Sequence, residues 1–299
     1  MRYRIHHETA YDYASDVLHA HHVLHLVPRP APFQQCLEHT IRIDPDTYRR
    51  RDEIDAFGNA VTHLEFEHVH QRLEVLTQME VEVHPRPKVF AGHSMPWERL
   101  CEELAYYGGY PTRENLEACR FRHESPYVRV KQEFTDYSAE CFPADAPIME
   151  CADALMVKLN RELKYSPGAT TVGTPVREVL KHRRGVCQDF AHLMIACLRS
   201  RGLAARYVSG YLREGPMRDA NAGPAAVGAG ASHAWVAVFS PPFGWLEFDP
   251  TNDVIVGTGH IAVAWGRDFG DVSPLHGVLL GGADHKMEVS VTVETLTPW

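Results

Sequence analysis

The chain has 299 residues, a formal charge of −9, 44% apolar residues and 23% charged residues. That balance belongs to a folded protein too long for one ordinary core, so two domains, or one with a large extension, are expected. The acidic surplus argues against a nucleic-acid binder, which needs clustered Lys and Arg. The one basic run, Arg49–Arg51, is followed at once by Asp52 and Glu53 and reads as a solvated turn. The start, MRYRIHHETAYDY, lacks the apolar stretch of a secretory signal, and no apolar run is long enough to cross a bilayer. A cytoplasmic location without membrane contact is expected. The seven cysteines are odd in number and have no framework spacing, so reduced thiols are expected.

Residues 1 to about 90 read as strands. RYRIHHETAYDY, VLHAHHVLHLVP, CLEHTIRIDP, AVTHLEFEHV and EVLTQMEVEVHP alternate apolar and polar positions, and Asp55-Ala56-Phe57-Gly58-Asn59 supplies a turn. An antiparallel β-sandwich or open barrel follows. HPRPKVFAGHSMP, residues 84–96, breaks the pattern and marks a boundary. A helical linker region over 91–145 is expected next, with amphipathic spacing at Trp97–Tyr107 and a second helix over Val128–Tyr137.

A third, longer helix is expected over Ala146–Lys164, with Asp145 as its cap and Ile148, Cys151, Ala152, Leu155, Leu159 and Leu163 on one face. Thr174-Pro175 opens a short helix. After Gly185, the run from Gln188 to Arg201 repeats apolar residues at helical spacing and stops at Gly202. Strands return at ARYVSGYL, HAWVAVF, WLEFDP and KMEVSVTVETL. Gly215–Gly230, rich in Gly and Ala, reads as a loop over whatever lies near His233.

Cys187 falls at the mouth of the apolar-striped helix, where unpaired N–H groups and the helix dipole stabilise a thiolate. Cys197, in the stripe itself, has the pattern of an inert core cysteine. A nucleophilic cysteine needs a base, and the base needs an orienting group. His192 is close in sequence, but five residues along a helix turn it about 140° away from Cys187. His233 is better placed. If SPPFG joins HAWVAVF to WLEFDP as a hairpin with Phe239 opposite Trp245, Trp235 pairs with Asp249. His233 and Asp249 then share a face within diagonal reach. Glu247 shares that face nearer the turn. Asp189 reads as a first-turn helix acid.

GVCQDFAHLM, SHAWVAVF and GWLEFDPTN together resemble the three motifs of the transglutaminase-like cysteine protease superfamily, in its bacterial branch. LVPRP, DAFGN, KYSPGAT and GHIAVAWGRDFGDVSPLHGV extend the likeness over nearly the whole chain. The resemblance implies an α+β fold, with an N-terminal antiparallel β-sandwich-like domain (1–90), a papain-like transglutaminase core (146–255) and C-terminal strands (256–299) closing back on the assembly. It implies Cys187 as nucleophile, His233 as general base then acid, and Asp249 as orienter. The backbone N–H of Cys187 is a candidate oxyanion donor. Tyr165, where relatives carry an aromatic residue before the nucleophile helix, and Gln188 are candidates for oxyanion or substrate contact. Glu247, where relatives often have a small residue, and the Ala/Gly-rich loop before Ser232 depart from the pattern.

The implied partner is a peptide or protein substrate, no cofactor is called for, and the oligomeric state stays open. HAHHVLH places His19, His21 and His25 on one face if it is a strand, but it runs on into an ordinary strand and no Cys-x-x-Cys accompanies it. No metal site is expected. Three activities remain in competition: thiol-dependent hydrolysis of peptide or amide bonds, transglutaminase-type transfer to an amine, and a non-catalytic binding module.

Overall fold

The computed structural model describes residues 1–105, 112–213 and 231–296. The expected loop at Gly215–Gly230 therefore lies outside the described residues.

The first half of the fold is one antiparallel sheet organised around a very long strand. β1 (Arg2–Leu24) pairs along its first part with β5 (His70–Val83), and along its second part with β4 (Ala60–Phe66). The register shifts between Asp12 and Val17, so the two strands read from the sequence are one strand bent at a bulge. β2 (Gln34–Asp44) flanks β5, and β3 (Tyr48–Ile54) flanks β4. Arg49–Arg51 lie in β3, not in the turn the charge pattern suggested. β3 is the last strand on its side and is exposed nearly throughout. Such a strand takes charge, because charged side chains protect an open edge from stray pairing.

The bend folds the sheet over on itself. Leu73 and Val75 of β5 meet Val17 and Leu24 of β1, Ile43 of β2, and Leu64 and Phe66 of β4 in one apolar cluster, the interior of a sandwich. Farther along, the same face of β1 and β5 presents Tyr3, Ile5, Met79, Val81 and Val83 to the main core. The N-terminal strands thus share one continuous interior with the rest of the chain.

Six helices follow within the described residues. α1 (Trp97–Glu103), α2 (Arg113–Cys119) and α3 (Gln132–Tyr137) are short, and α3 is shorter than the expected 128–137. α4 (Ile148–Glu162) has the expected apolar face, but Asp145 does not cap it. Pro147 holds the cap position, and the first free N–H groups, of Ile148 and Met149, donate instead to Met95 O (2.9 Å) and Ser94 Oγ (3.1 Å). A two-residue parallel pair, β6 (Lys164–Tyr165) with β7 (Arg184–Gly185), brackets α5 (Val176–His182) and leads directly into α6 (Cys187–Ser200). α6 ends where Gly202 adopts φ +81°, a conformation that favours glycine.

α6 packs on a five-stranded antiparallel sheet of β8 (Ala205–Leu212), β9 (His233–Phe239), β10 (Trp245–Asp249), β11 (Val254–Ile255) and β12 (His260–Gly266), in the order β11-β10-β9-β8-β12. Ala234, Val236 and Val238 of β9 join the α6 side chains in the main core, whereas Trp235 and Ala237 face the opposite way. β8 and β9 are buried on both faces, which explains their nearly unbroken apolar sequences. Finally, β13 (Leu275–Gly281) and β14 (His285–Leu296) return to pair with the two parts of β1. Beyond residue 256, β12 thus joins the core sheet, whereas β13 and β14 both join the N-terminal sheet. The architecture is α+β, with a β-rich N-terminal region and an antiparallel core sheet carrying the cysteine helix.

No helix among the described residues is long and apolar enough to cross a membrane.

Candidate active site

The site forms where α6, β9 and the end of β10 meet. Cys187 is the first residue of α6, so its N–H has no acceptor within the helix. Asp189 secures the turn that presents it. Its Oδ2 accepts from Val186 N–H (2.7 Å) and from the Thr170 hydroxyl (2.6 Å), and its side chain folds into the space a Cβ on Gly185 would need. Asp189 is buried, and burial, only partly offset by those bonds, pushes its carboxyl up. It is a turn-building acid, as its position in the first turn suggests.

The β9–β10 hairpin has the register that parity anticipates: Phe239 lies opposite Trp245, Glu247 opposite Ala237 and Phe248 opposite Val236. His233 and Asp249 accordingly meet diagonally, with Nε2 and Oδ2 2.9 Å apart and both side chains fully buried. Asp249 collects further donors. Asn252 Nδ2 donates to Oδ2 (2.8 Å), and the N–H groups of Thr251 and Asn252 donate to Oδ1 (3.0 and 3.2 Å). Burial by itself would raise this carboxyl. The charge of His233 and the hydrogen bonds from His233 and His260 outweigh it, and Asp249 is held well below the ordinary carboxylate range.

For His233, burial would lower the pKa. The Asp249 carboxylate and then Cys187 reverse that, and the imidazole is pushed up to about 10. Cys187 is thus near enough to raise the ring, and Nδ1 is the ring nitrogen left without a partner among the described residues.

Tyr165 sits opposite Gly185 in the β6–β7 pair, half-buried. Burial raises its hydroxyl, with Cys187 adding to the effect. Gln188 is tied elsewhere: its amide donates to Val172 O (3.2 Å). His192 is buried away from Cys187, where its Nε2 accepts from Phe269 N–H (3.1 Å) and its ring stacks on Tyr127. Burial pushes it down to about 3. Glu247 shares the Asp249 face but is engaged by the Trp235 indole (2.7 Å) and Arg86 (3.2 Å).

One residue of the site was not anticipated. His260, the first residue of β12, places Nε2 3.1 Å from Asp249 Oδ2 and is fully buried. In sequence it begins an apolar run like any other, and nothing there says that β12 would join the sheet beside β8.

The histidines of HAHHVLH do not converge. His19 and His21 are exposed, whereas His22 is buried within β1 and His25, beyond its end, is buried against Ser273 O (3.1 Å). Among the described residues no group of three or more His, Cys, Asp or Glu is arranged to hold a metal ion.

Comparison with known proteins identifies the family. Residues 3–82 match the model of the bacterial transglutaminase-like N-terminal region, and residues 136–250 match that of the transglutaminase-like superfamily. An uncharacterized protein of Mycobacterium tuberculosis is 35% identical over 98% of this chain and 92% of its own length. The chain belongs to the transglutaminase-like superfamily. A second relative, an uncharacterized protein of Mycobacterium leprae, is 32% identical over 99% of both chains. A protein-glutamine gamma-glutamyltransferase of Pseudomonas aeruginosa is 32% identical over 108 residues, 34% of this chain and 16% of that protein. A solved structure from Cytophaga hutchinsonii, designated a candidate cysteine protease, superposes with a TM-score of 0.73 at 18% identity. It covers 100% of this chain and 93% of that one, and so supports the transglutaminase-like fold.

Proposed function

We propose that the protein is a thiol-dependent hydrolase of peptide or amide bonds, acting through Cys187, His233 and Asp249 and a thioester intermediate. What supports this reading is the hydrogen bond between His233 Nε2 and the buried Asp249 carboxylate, together with the influence of Cys187 on the same ring.

With a proton already held on His233 Nδ1, Sγ attacks the amide carbonyl as a thiolate. Asp249 accepts the Nε2–H and keeps the ring aligned while it is charged. The carbonyl oxygen becomes an oxyanion, which the free N–H of Cys187 at the helix start can receive, with Tyr165 as a second donor from the flank. His233 then gives its proton to the departing amine, the C–N bond breaks and the thioester remains. Water, losing a proton to His233, attacks the thioester, releasing the acid and the thiol. Gln188 contacts substrate only if its bond to Val172 O opens.

Transfer of the acyl group to an amine is the second reading, favoured by the likeness to the Pseudomonas glutamyltransferase over 108 residues. The two reactions share every step up to the thioester and differ in whether water or an amine resolves it. A glutamine peptide incubated with a labelled primary amine, with Cys187→Ala as control, separates them. Ammonia or cleavage without incorporation supports hydrolysis, and incorporation supports transfer. No Cys187-dependent product across a panel of peptides would leave the binding-module reading standing. A reaction that depends on a reduced thiol suits the cytoplasm, where we place it; all seven cysteines are unpaired.

A further inference from the structure

Asp249 is shared. Oδ2, the oxygen that holds His233, also faces Nε2 of a second buried histidine, His260, at 3.1 Å. Beyond Asp249 the charged and titratable groups acting on His260 are His233 and Glu247, and Glu247 is occupied by Trp235 and Arg86. Burial lowers His260, with Asp249 only partly offsetting it, so the ring is neutral and its Nε2 carries the hydrogen that Asp249 accepts. Its other nitrogen, Nδ1, has no described partner. A neutral imidazole buried with one nitrogen unsatisfied is costly, and packing alone would be better served by an apolar ring.

The fold makes room for this contact. His260 lies three strands from β10, with β8 and β9 between. It reaches over β8 where that strand carries Gly210, and the Trp235 ring, against whose face His260 packs edge-on (5.1 Å), fills that space. A Cβ on Gly210 would strike the Trp235 ring and the Ile261 carbonyl. β12 is itself an edge strand pinned from the N-terminal region. Tyr3 donates its hydroxyl to Thr258 O (2.8 Å), just before the strand. The Gln34 amide makes both bonds to the backbone of Ala262 (2.7 and 2.8 Å), and the Asn59 amide both bonds to that of Trp265 (2.9 and 3.0 Å). Two side-chain amides stand in for a missing neighbouring strand.

We infer that His260 is a positioning residue for the proposed reaction: it fixes the rotation of Asp249 and draws off part of the charge on Oδ2, so that His233 is aligned and can still release its proton to the leaving group. The inference rests on the reading of Cys187, His233 and Asp249 as the catalytic set. It assigns the N-terminal region a part in the site, because that region holds the strand from which His260 projects.

The test compares His260→Phe, which keeps a ring and removes the donor, with His260→Gln, whose amide reaches the Nε2 position. Titration of His233 by imidazole NMR needs no turnover. Its midpoint should rise by about one pH unit in His260→Phe, because fewer donors leave more of the carboxylate charge to the imidazolium, and should return to the wild-type value in His260→Gln. With any substrate found, kcat should fall about 10- to 100-fold in His260→Phe with KM unchanged, as for loss of a hydrogen bond to a charged group, and recover in His260→Gln. Should His260→Phe not fold, His260→Asn, whose amide is too short to reach Asp249, is read in the same way. An unmoved His233 titration, or no recovery in His260→Gln, overturns the inference. A shifted titration in a protein that turns over no amide or peptide would instead leave the His260 link standing and sink the proposed activity.

Discussion

Asp249→Asn removes one charge and changes almost no volume. His233 and Asp249 are both fully buried, and an opposite charge in such a position shifts a pKa by about 1–3 units, or about 1.4–4 kcal/mol. The upper end applies here, because no solvent screens the pair. With the carboxylate gone, burial opposes what Cys187 alone still contributes to His233, and the ring falls from about 10. The tautomer suffers as well. Asn Oδ1 can still accept from the N–H groups of Thr251 and Asn252, which leaves its NH₂ facing His233 Nε2. That nitrogen must then accept, the ring proton moves to Nδ1, and Nδ1 can no longer take a proton from Cys187. About 4 kcal/mol of lost stabilisation corresponds to about 10³-fold in rate, before the tautomer effect is added. The assay is the burst of nitrophenolate from p-nitrophenyl acetate, which reports thioester formation whatever the natural substrate. A burst rate within tenfold of wild type, in a variant whose melting temperature is preserved, would refute the reasoning.

Other consequences can be checked directly. Cys187→Ala should abolish both the nitrophenolate burst and any amine incorporation while leaving the melting temperature nearly unchanged, since the side chain is small and only partly buried. Stability should decline as pH falls. His7 and His22 are buried neutral and pushed down to about 4, so between about pH 6.5 and 4 the unfolded chain binds protons that the folded one refuses. The loss begins near 6.5 and is complete below about 4, at about 3 kcal/mol for each residue. Urea midpoints measured across that range would contradict this if they stayed level, and His22→Phe should flatten part of the slope. Gln34→Leu strips both backbone bonds from Ala262 and should cost about 2–4 kcal/mol, read as a lower urea midpoint. Gly210→Ala should destabilise more than a helix-surface Ala substitution and disturb the Trp235 fluorescence, because its methyl group has nowhere to go.

How much of this was legible beforehand follows from the range of the signals. The β9–β10 hairpin could be read because parity and a short loop determine which residues face each other, and that placed His233 within reach of Asp249. The orientation of His192 followed in the same way from helix geometry. Cues that compete locally were less secure. Asp145 has the composition of a helix cap, but the Met95–Ser94 segment, about fifty residues earlier, satisfies those N–H groups. Arg49–Arg51 look like a turn until β4 supplies a partner strand. His260 was out of reach altogether, because its role depends on which edge of the core sheet β12 joins and on the glycine beneath it. The grip of Gln34 and Asn59 on that strand spans more than two hundred positions of chain and leaves no periodic trace.

The central claim is that Cys187 is a nucleophile made reactive by His233, and limited alkylation with iodoacetamide followed by peptide mapping tests it most directly. Cys36, Cys101 and Cys119 are partly buried like Cys187 and serve as internal controls; burial raises the first two, Cys101 to about 11. The account predicts that label arrives first at Cys187 near neutral pH, and that His233→Ala removes this preference without altering labelling of the other three. Equal labelling of the four thiols, or a Cys187 preference that survives His233→Ala, would contradict it.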